Sequence, residues 1–322
     1  MQTLKFPTKW RGVARRLRFA GKMGSERLQQ GPALERVRAH YQTYATEELE
    51  RLAKDRYARI EFEVTWRFIA ELIPSRPGGA RMLDAGCGPG RYAVALAQAG
   101  HRVSLLDLSP HCLELAEEWG RVAGVLDSMD ELVEGDVRDL SRWPDGSFDG
   151  ALLLGPLYHL LSTRERGRCV REVRRVLKPG APVIASAIAR FTPARLALRH
   201  WPDQIDAPEL RQALATGAAP AVPGAAWTDA AYLRPEELRR LFERNGFRTH
   251  AVAASEGFAA FMEDAVNRIT DDQWECWQQL IVETCTDPAL LGAAEHILYV
   301  GKKGERSGSV AAALASTSSP SR

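Results

Sequence analysis

The sequence of 322 residues predicts a doubly wound α/β fold, a parallel sheet covered by helices on both faces. Three observations carry that prediction. Short apolar runs alternate with amphipathic helical segments, and the runs are continuously apolar, as strands buried on both faces are. A glycine-rich turn, Gly86-Cys87-Gly88-Pro89-Gly90, leaves the first run and opens a helix. Aspartates close three consecutive runs, at Asp84, Asp107 and Asp136. Composition agrees, since 45% apolar and 26% charged residues make a globular mixture with material for a sizeable core.

Residues 1–31 read as a basic arm. Its first 22 positions hold Lys5, Lys9, Arg11, Arg15, Arg16, Arg18 and Lys22 and no acid. Against a net charge of +2, the remaining chain is mildly acidic, which argues against a nucleic-acid-binding body. The arm itself reads as a polyanion-binding tail, an organelle transit peptide, a solvated tail or sequence upstream of a start at Met23, and the lack of serine in its first 22 positions counts against transit. Residues 32–73 predict two amphipathic helices, with Ile60, Phe62, Trp66, Ile69 and Leu72 at helical spacing. Pro77-Gly78-Gly79 ends them. Strands are then expected at 81–86, 102–109, one ending near Asp136, 149–155 and 181–188. Between them come helices from about Gly90 to Ala99, from Pro110, and over 163–177 before Lys178-Pro179-Gly180. A helix from Pro235 to Gly246 has proline at its start and glycine past its end. Strands 247–254 and 296–303 complete the alternation. Two stretches break it, 191–233 and 256–295, and these predict a two-part cap. The tail 304–322 is small, polar and of low complexity, and is expected to be disordered.

Cys87, Cys112, Cys169, Cys276 and Cys285 are odd in number and scattered. They form neither a disulfide framework nor a metal pattern and point to a reducing, cytoplasmic setting. No apolar run approaches the roughly 20 residues that a bilayer crossing needs.

The glycine turn lacks the third glycine of the dinucleotide spacing, because Arg91 stands there. Asp84 sits at its mouth, where a carboxylate repels a pyrophosphate but suits a ligand bearing an ammonium group and a sulfonium. Asp107, some twenty residues on, is placed to accept from both hydroxyls of a ribose. Asp136 is placed to accept from an exocyclic adenine amine. Each alone also reads as an ordinary turn or cap aspartate. Together they describe an adenosine with a cationic amino-acid tail.

With those residues in view, the sequence resembles the class I S-adenosylmethionine-dependent methyltransferases. LDAGCGPG is similar to the first motif of that family, LLDLS to the second, EGDVRDL to the third and FDGALLLGPLYHL to the fourth. REVRRVLKPGA resembles the helix and turn before its fifth strand, with Ala181 in place of a usual glycine. The resemblance is continuous over 81–190, and strands 247–254 and 296–303 take expected places. It implies a Rossmann-like sheet of seven strands, the last antiparallel, with helical cap insertions at 191–233 and 256–295 in a domain of 77–303. Residues 32–76 are then lid helices. The implied cofactor is S-adenosyl-L-methionine, leaving as S-adenosyl-L-homocysteine. Its implied contacts are Asp84, Gly86, Cys87, Gly88, Gly90, Asp107, Leu108, Asp136, Val137 and Leu154, with Tyr41 and Tyr44 as lid tyrosines or as core of a short helix. The closest likeness is to bacterial small-molecule enzymes of the ubiquinone and menaquinone biosynthesis type.

Methyl transfer needs the nucleophile held in line, and an acidic acceptor also needs a base. The loop after the fourth strand offers His159 as the base and Tyr158 as an orienting group. His159 reads equally as a helix cap or a contact to the cofactor carboxylate. Asp229 suits a cationic or hydroxylated acceptor, or loop capping; Glu295 and His296 suit the crevice, or strand-end bonding. Phe191, Trp201, Trp227 and Tyr232 suit an apolar acceptor pocket or the core of the cap, and Trp274 and Trp277 suit helix packing. Where nucleic-acid amine methyltransferases carry a polar-Pro-Pro-aromatic motif, this chain has Gly155-Pro156-Leu157-Tyr158. The expected acceptor is therefore a small molecule. An RNA-modifying enzyme using the basic arm, and a non-catalytic cofactor-binding module, are the alternatives.

Overall fold

The computed structural model describes residues 33–51, 54–73, 77–219 and 228–304. The basic arm, Trp227 and all but the first residue of the tail lie outside them.

Seven strands make the body of the sheet: β1 (Arg81–Ala85), β2 (Arg102–Asp107), β3 (Met129–Glu134), β4 (Gly150–Leu153), β5 (Pro182–Ala189), β8 (Phe247–Ala254) and β9 (His296–Lys303). Their order is β3-β2-β1-β4-β5-β9-β8. The first five pair in parallel, and β9 runs antiparallel between β5 and β8. This is the expected topology. Two short strands that the sequence did not announce, β6 (Ala218–Ala219) and β7 (Ala230–Leu233), branch from the end of β5, where Ile188 and Ala189 pair with β7.

Side chains alternate across each strand, and the two cores follow that period of two. Met82, Ile184, Leu298 and Val300 pack on one face with Phe62, Phe68 and Ile69. Leu83, Ala85, Val183, Ile297 and Tyr299 pack on the other with Val170, Val173 and Phe242. Asp84 shares the parity of Met82 and so belongs to the first face.

That face carries α1 (Ala33–Arg51), α2 (Arg56–Leu72), α3 (Arg91–Gln98) and α4 (Pro110–Ala123); α5 (Thr163–Val176) and α8 (Pro235–Arg244) cover the other. Local signals set their ends. Asp55 and Ser109 cap α2 and α4 with side-chain hydrogen bonds, Pro110 fills the first turn of α4, and Gly124 closes it in the left-handed conformation. The first cap segment folds as α6 (Thr192–His200) and α7 (Pro208–Thr216) with β6 and β7. The second holds α9 (Glu263–Asn267), α10 (Asp271–Thr284) and α11 (Pro288–Leu291), whose Val266 and Ile281 join the core beside α2. Arg199 ties the two segments by donating to the carbonyl of Phe261 at 3.2 Å. No described helix is long and apolar enough to cross a membrane.

Candidate active site

The crevice opens at the carboxyl ends of β1, β2 and β4, where the strand order reverses on either side of β1. The glycine turn forms its floor. The N–H groups of Gly86 and Cys87 both donate to the carbonyl of Leu106, at 2.7 and 3.1 Å, which bends the chain sharply off β1. Gly86 has φ of +80°, and a Cβ there would lie 2.2 Å from Cγ of Pro156, so a side chain is excluded on two grounds. Gly88, at φ +51°, differs: a Cβ would meet nothing within 4 Å, because the position faces the open crevice. Gly90 caps α3 but stands off the pocket wall, held against Ala116 of α4. Cys87 lines the pocket; its Sγ donates to the carbonyl of Gly88 at 3.3 Å, and burial pushes the thiol pKa well up.

Asp84 is 2% exposed, and its Oδ2 is buried with no hydrogen-bond partner among the described residues. Desolvation, with the nearby charge of Asp107 adding to it, pushes its pKa up to about 7. Asp107 holds the loop: Oδ2 accepts from the N–H of Gly88 at 2.8 Å and Oδ1 from that of Ser109 at 2.9 Å. Each oxygen keeps a lone pair free. Burial raises the pKa of this acid too, against the backbone donors that favour its charge. Asp136 departs from expectation. It lies two residues beyond β3 and lines the pocket, but the Arg138 guanidinium forks across its carboxylate at 2.6 to 3.0 Å. Its oxygens are thereby committed within the chain. Leu108, Val137 and Leu154 add apolar wall.

Helix α1 lies over this crevice and lends it Leu34, Val37, Tyr41, Glu48 and Arg51. Arg36 grips the wholly buried Asp229 with two hydrogen bonds of 2.7 Å. Gln42 accepts from Ser109 Oγ at 3.1 Å, and Arg91 donates to the Leu49 carbonyl at 2.8 Å. Tyr41 turns inward, and its hydroxyl lies 2.9 Å from Nε2 of His159. Tyr44 does not. Three residues at about 100° each rotate it some 60° off the Tyr41 face. It is 38% exposed, stacked on His40 and outside the pocket lining.

Beyond β4, Tyr158 and His159 both line the pocket, their rings edge to face at 4.7 Å. Nδ1 of His159 lies 3.1 Å from the carbonyl of Asp229, which can only accept, so Nδ1 carries the hydrogen and Nε2 receives that of Tyr41. Burial pushes the imidazole down to about 4. The base expected here is instead a neutral ring with both nitrogens engaged. Burial raises the pKa of Tyr158, whose hydroxyl sits beside that of Tyr41.

Of the charged back wall, the sequence pointed only to His296. Arg51 bridges Glu48 and Glu61 at 2.9 Å each, and Glu61, Glu256 and His296 bring polar atoms within 4.8 Å of one another. His296 Nδ1 lies 2.8 Å from Glu256 Oε1. Burial alone lowers this imidazole, but Glu61 and Glu256 outweigh it and raise it to about 9, so the cluster is an imidazolium between carboxylates. No local sequence signal marks it, because its members come from α2, the end of β8 and the start of β9. Asp229 is neither free for an acceptor nor a loop cap; it is the anchor of α1. Phe191 and Trp201 are 44% and 46% exposed, and Trp277 is 44% exposed against the edge of Phe258.

A doubly wound sheet with an antiparallel β9, a glycine turn after β1 and acids at the first two strand ends is the architecture that the class I resemblance implies. Residues 83–185 match the family model described as a methyltransferase domain. The chain is 35% identical over 120 residues to a ubiquinone biosynthesis O-methyltransferase of Xanthomonas oryzae pv. oryzae, covering 37% of this chain and 47% of that protein. It thus spans about half the length of the curated relatives it matches. A SAM-dependent methyltransferase from Methanosarcina mazei shares the fold at TM-score 0.52 and 20% identity, over 73% of this chain and 96% of that one. Magnesium protoporphyrin IX methyltransferase from Synechocystis PCC 6803, solved with bound SAH, does so at TM-score 0.52 and 16% identity, over 85% and 100%.

Proposed function

We propose that this protein transfers the methyl group of S-adenosylmethionine to a small-molecule acceptor. The observation that carries the reading is Asp84: a buried carboxylate oxygen without a partner, at the mouth of a glycine turn, is a receptor for a cationic group. When bound, S-adenosylmethionine supplies a methyl carbon already activated by its sulfonium and departs as S-adenosylhomocysteine. Asp84 takes the ammonium of the amino-acid tail. Gly88 keeps that approach clear of a side chain, and the free lone pairs of Asp107 accept from the ribose hydroxyls. Leu108 and Val137 flank the adenine, since the Asp136 carboxylate is held by Arg138.

At the transfer end Tyr158, Tyr41 and His159 shape the wall. His159 positions Tyr41 and the Asp229 segment, and exclusion of water with in-line proximity is the main rate contribution, worth about 7–11 kcal/mol in well-oriented systems. The Xanthomonas relative, named for O-methyl transfer in ubiquinone biosynthesis, supports a hydroxyl as the methylated group.

Calorimetric titration with S-adenosylmethionine and S-adenosylhomocysteine tests the reading. Both are expected to bind stoichiometrically at micromolar Kd, and Asp107→Ala is expected to weaken them by about 1.5–3 kcal/mol, the range for a charged hydrogen-bond partner. No binding of either compound to the native protein overturns it.

A further inference from the structure

A second cavity lies beneath the first cap segment, and none of the groups assigned above explains it. It encloses about 330 Å³ between α6, α7 and the ends of β5, β7 and β9, room for one or two rings. Its walls are mostly apolar, with Ile188, Leu196, Trp201, Leu210 and Ala213 among them. Polar groups enter from the cap, at Thr192, Gln204 and Glu209, and from the sheet and its ends. Tyr232 and His296 flank Ile188 from opposite sides in the strand register, and Glu295 and Thr228 stand next to them along the chain ends.

Two of those groups are incompletely satisfied. Thr228 Oγ1 is buried with no hydrogen-bond partner among the described residues. Glu295 Oε1 accepts from the Tyr57 hydroxyl and the Phe261 N–H, while Oε2 accepts from no described residue. The cavity also shares a wall with the cofactor crevice. Glu61 lines the crevice and reaches His296, which lines the cavity; Asp229, whose carbonyl holds His159 in the crevice, follows Thr228.

We infer that this cavity is the acceptor chamber and that it takes an apolar, ring-sized compound presenting a hydroxyl donor to Glu295. A carboxylate can only accept, so the compound must donate. An anionic ring compound is disfavoured, because the positive charge of His296 is already matched by Glu256 and Glu61 and leaves no cation to spare. Thr228 can donate or accept, and it completes the polar end. The assignment of purpose rests on the methyl-transfer reading; the binding itself does not.

Ligand-observed NMR titration with 2-naphthol, naphthalene and 2-naphthoate reads the chamber directly, with a parallel S-adenosylhomocysteine titration. The expected result is 2-naphthol binding at least tenfold tighter than the other two. Glu295→Gln is expected to weaken 2-naphthol about fivefold, the difference between a charged and a neutral acceptor. Ala213→Trp and Leu196→Trp, which fill the cavity from α7 and α6, are expected to abolish it, with S-adenosylhomocysteine binding unchanged in all three variants. Undiminished 2-naphthol binding in either folded tryptophan variant overturns the site. Naphthalene or 2-naphthoate binding as tightly as 2-naphthol, or no binding of any of the three, overturns the ligand class. If 2-naphthol behaves as expected while S-adenosylhomocysteine fails to bind, the chamber stands and the methyl-transfer reading falls.

Discussion

Asp84 joins two properties that explain each other: a buried oxygen without a partner and a pKa raised from 3.8 to about 7. Between those values the folded, ligand-free protein holds a proton that the unfolded chain has lost. The contribution of this one group to stability therefore falls as pH rises from about 4 to 7, by up to about 1.4 kcal/mol per unit. Asp84→Asn is expected to remove that slope and to stabilise the ligand-free protein at pH 7.5 by a few kcal/mol, as read from urea unfolding midpoints at pH 5 and 7.5. Equal slopes in the two proteins would sink the assignment. An ammonium ligand has the opposite interest, since it needs the ionised carboxylate. Binding of S-adenosylmethionine at pH 6 should release close to one proton, visible as a dependence of the calorimetric heat on buffer ionisation enthalpy. The LDAG sequence places this acid at a strand end, but its burial was not legible there. His159 shows the same limit more sharply. Its place after β4 was readable, whereas the carbonyl of Asp229, 70 positions away, and the Tyr41 hydroxyl, 118 away, decide that it is no free base.

At the scale of elements, α1 is held by polar ties more than by packing, for only Val37, Ala45 and Leu49 of its 19 residues are buried. Arg36 to Asp229, Tyr41 to His159, Gln42 to Ser109 and Arg91 to Leu49 close it over the crevice. Such a helix opens more readily than the sheet beneath it. Arg36→Ala takes the guanidinium from a fully buried carboxylate, a loss of about 3–5 kcal/mol for a buried pair and near the lower figure here because Arg36 is 21% exposed. The expected consequence is amide exchange in α1 faster by about a hundredfold, with exchange in β1, β4 and β5 unchanged. Acceleration throughout the sheet would show that α1 does not open on its own. That α1 is a helix was legible from apolar spacing, but the tie of Arg36 to Asp229, 193 positions apart, was not. The glycine turn makes a second contrast. Gly88→Ala faces open space and is expected to cost about 1 kcal/mol of stability through its positive φ alone, while weakening cofactor binding. Gly86→Ala drives a methyl into the rigid ring of Pro156 and should lower the thermal midpoint by several degrees more.

For the molecule as a whole, the sheet was legible in the chain and the cap was hidden for one physical reason. Strands buried on both faces must be apolar along their length, so β1, β2, β4, β5 and β9 stand out in the chain with ends within about two residues. The cap strands β6 and β7 span two and four residues, mostly alanine, and exist only because β7 pairs with the end of β5 and β6 with β7. The cluster joining the cap side to the crevice was hidden for a related reason: His296, Glu256 and Glu61 meet only after β9 has inserted between β5 and β8. That cluster ties global stability to pH. His296 is raised from 6.5 to about 9, so its ion pairing stabilises the fold fully below pH 6.5 and is lost as pH climbs through 9. His159, lowered to about 4, acts on the other side, costing stability as pH falls from 6.5. There the ligand-free Asp84 offsets it, one proton against one. Above 6.5 nothing offsets His296, and about 3 kcal/mol should disappear by pH 9. Urea unfolding at pH 6.5 and 9 reads this loss, which His296→Gln should largely abolish while being less stable than the native protein at pH 6.5. The same alkaline loss in that variant would place the titrating group elsewhere and leave the imidazolium between Glu61 and Glu256 without support.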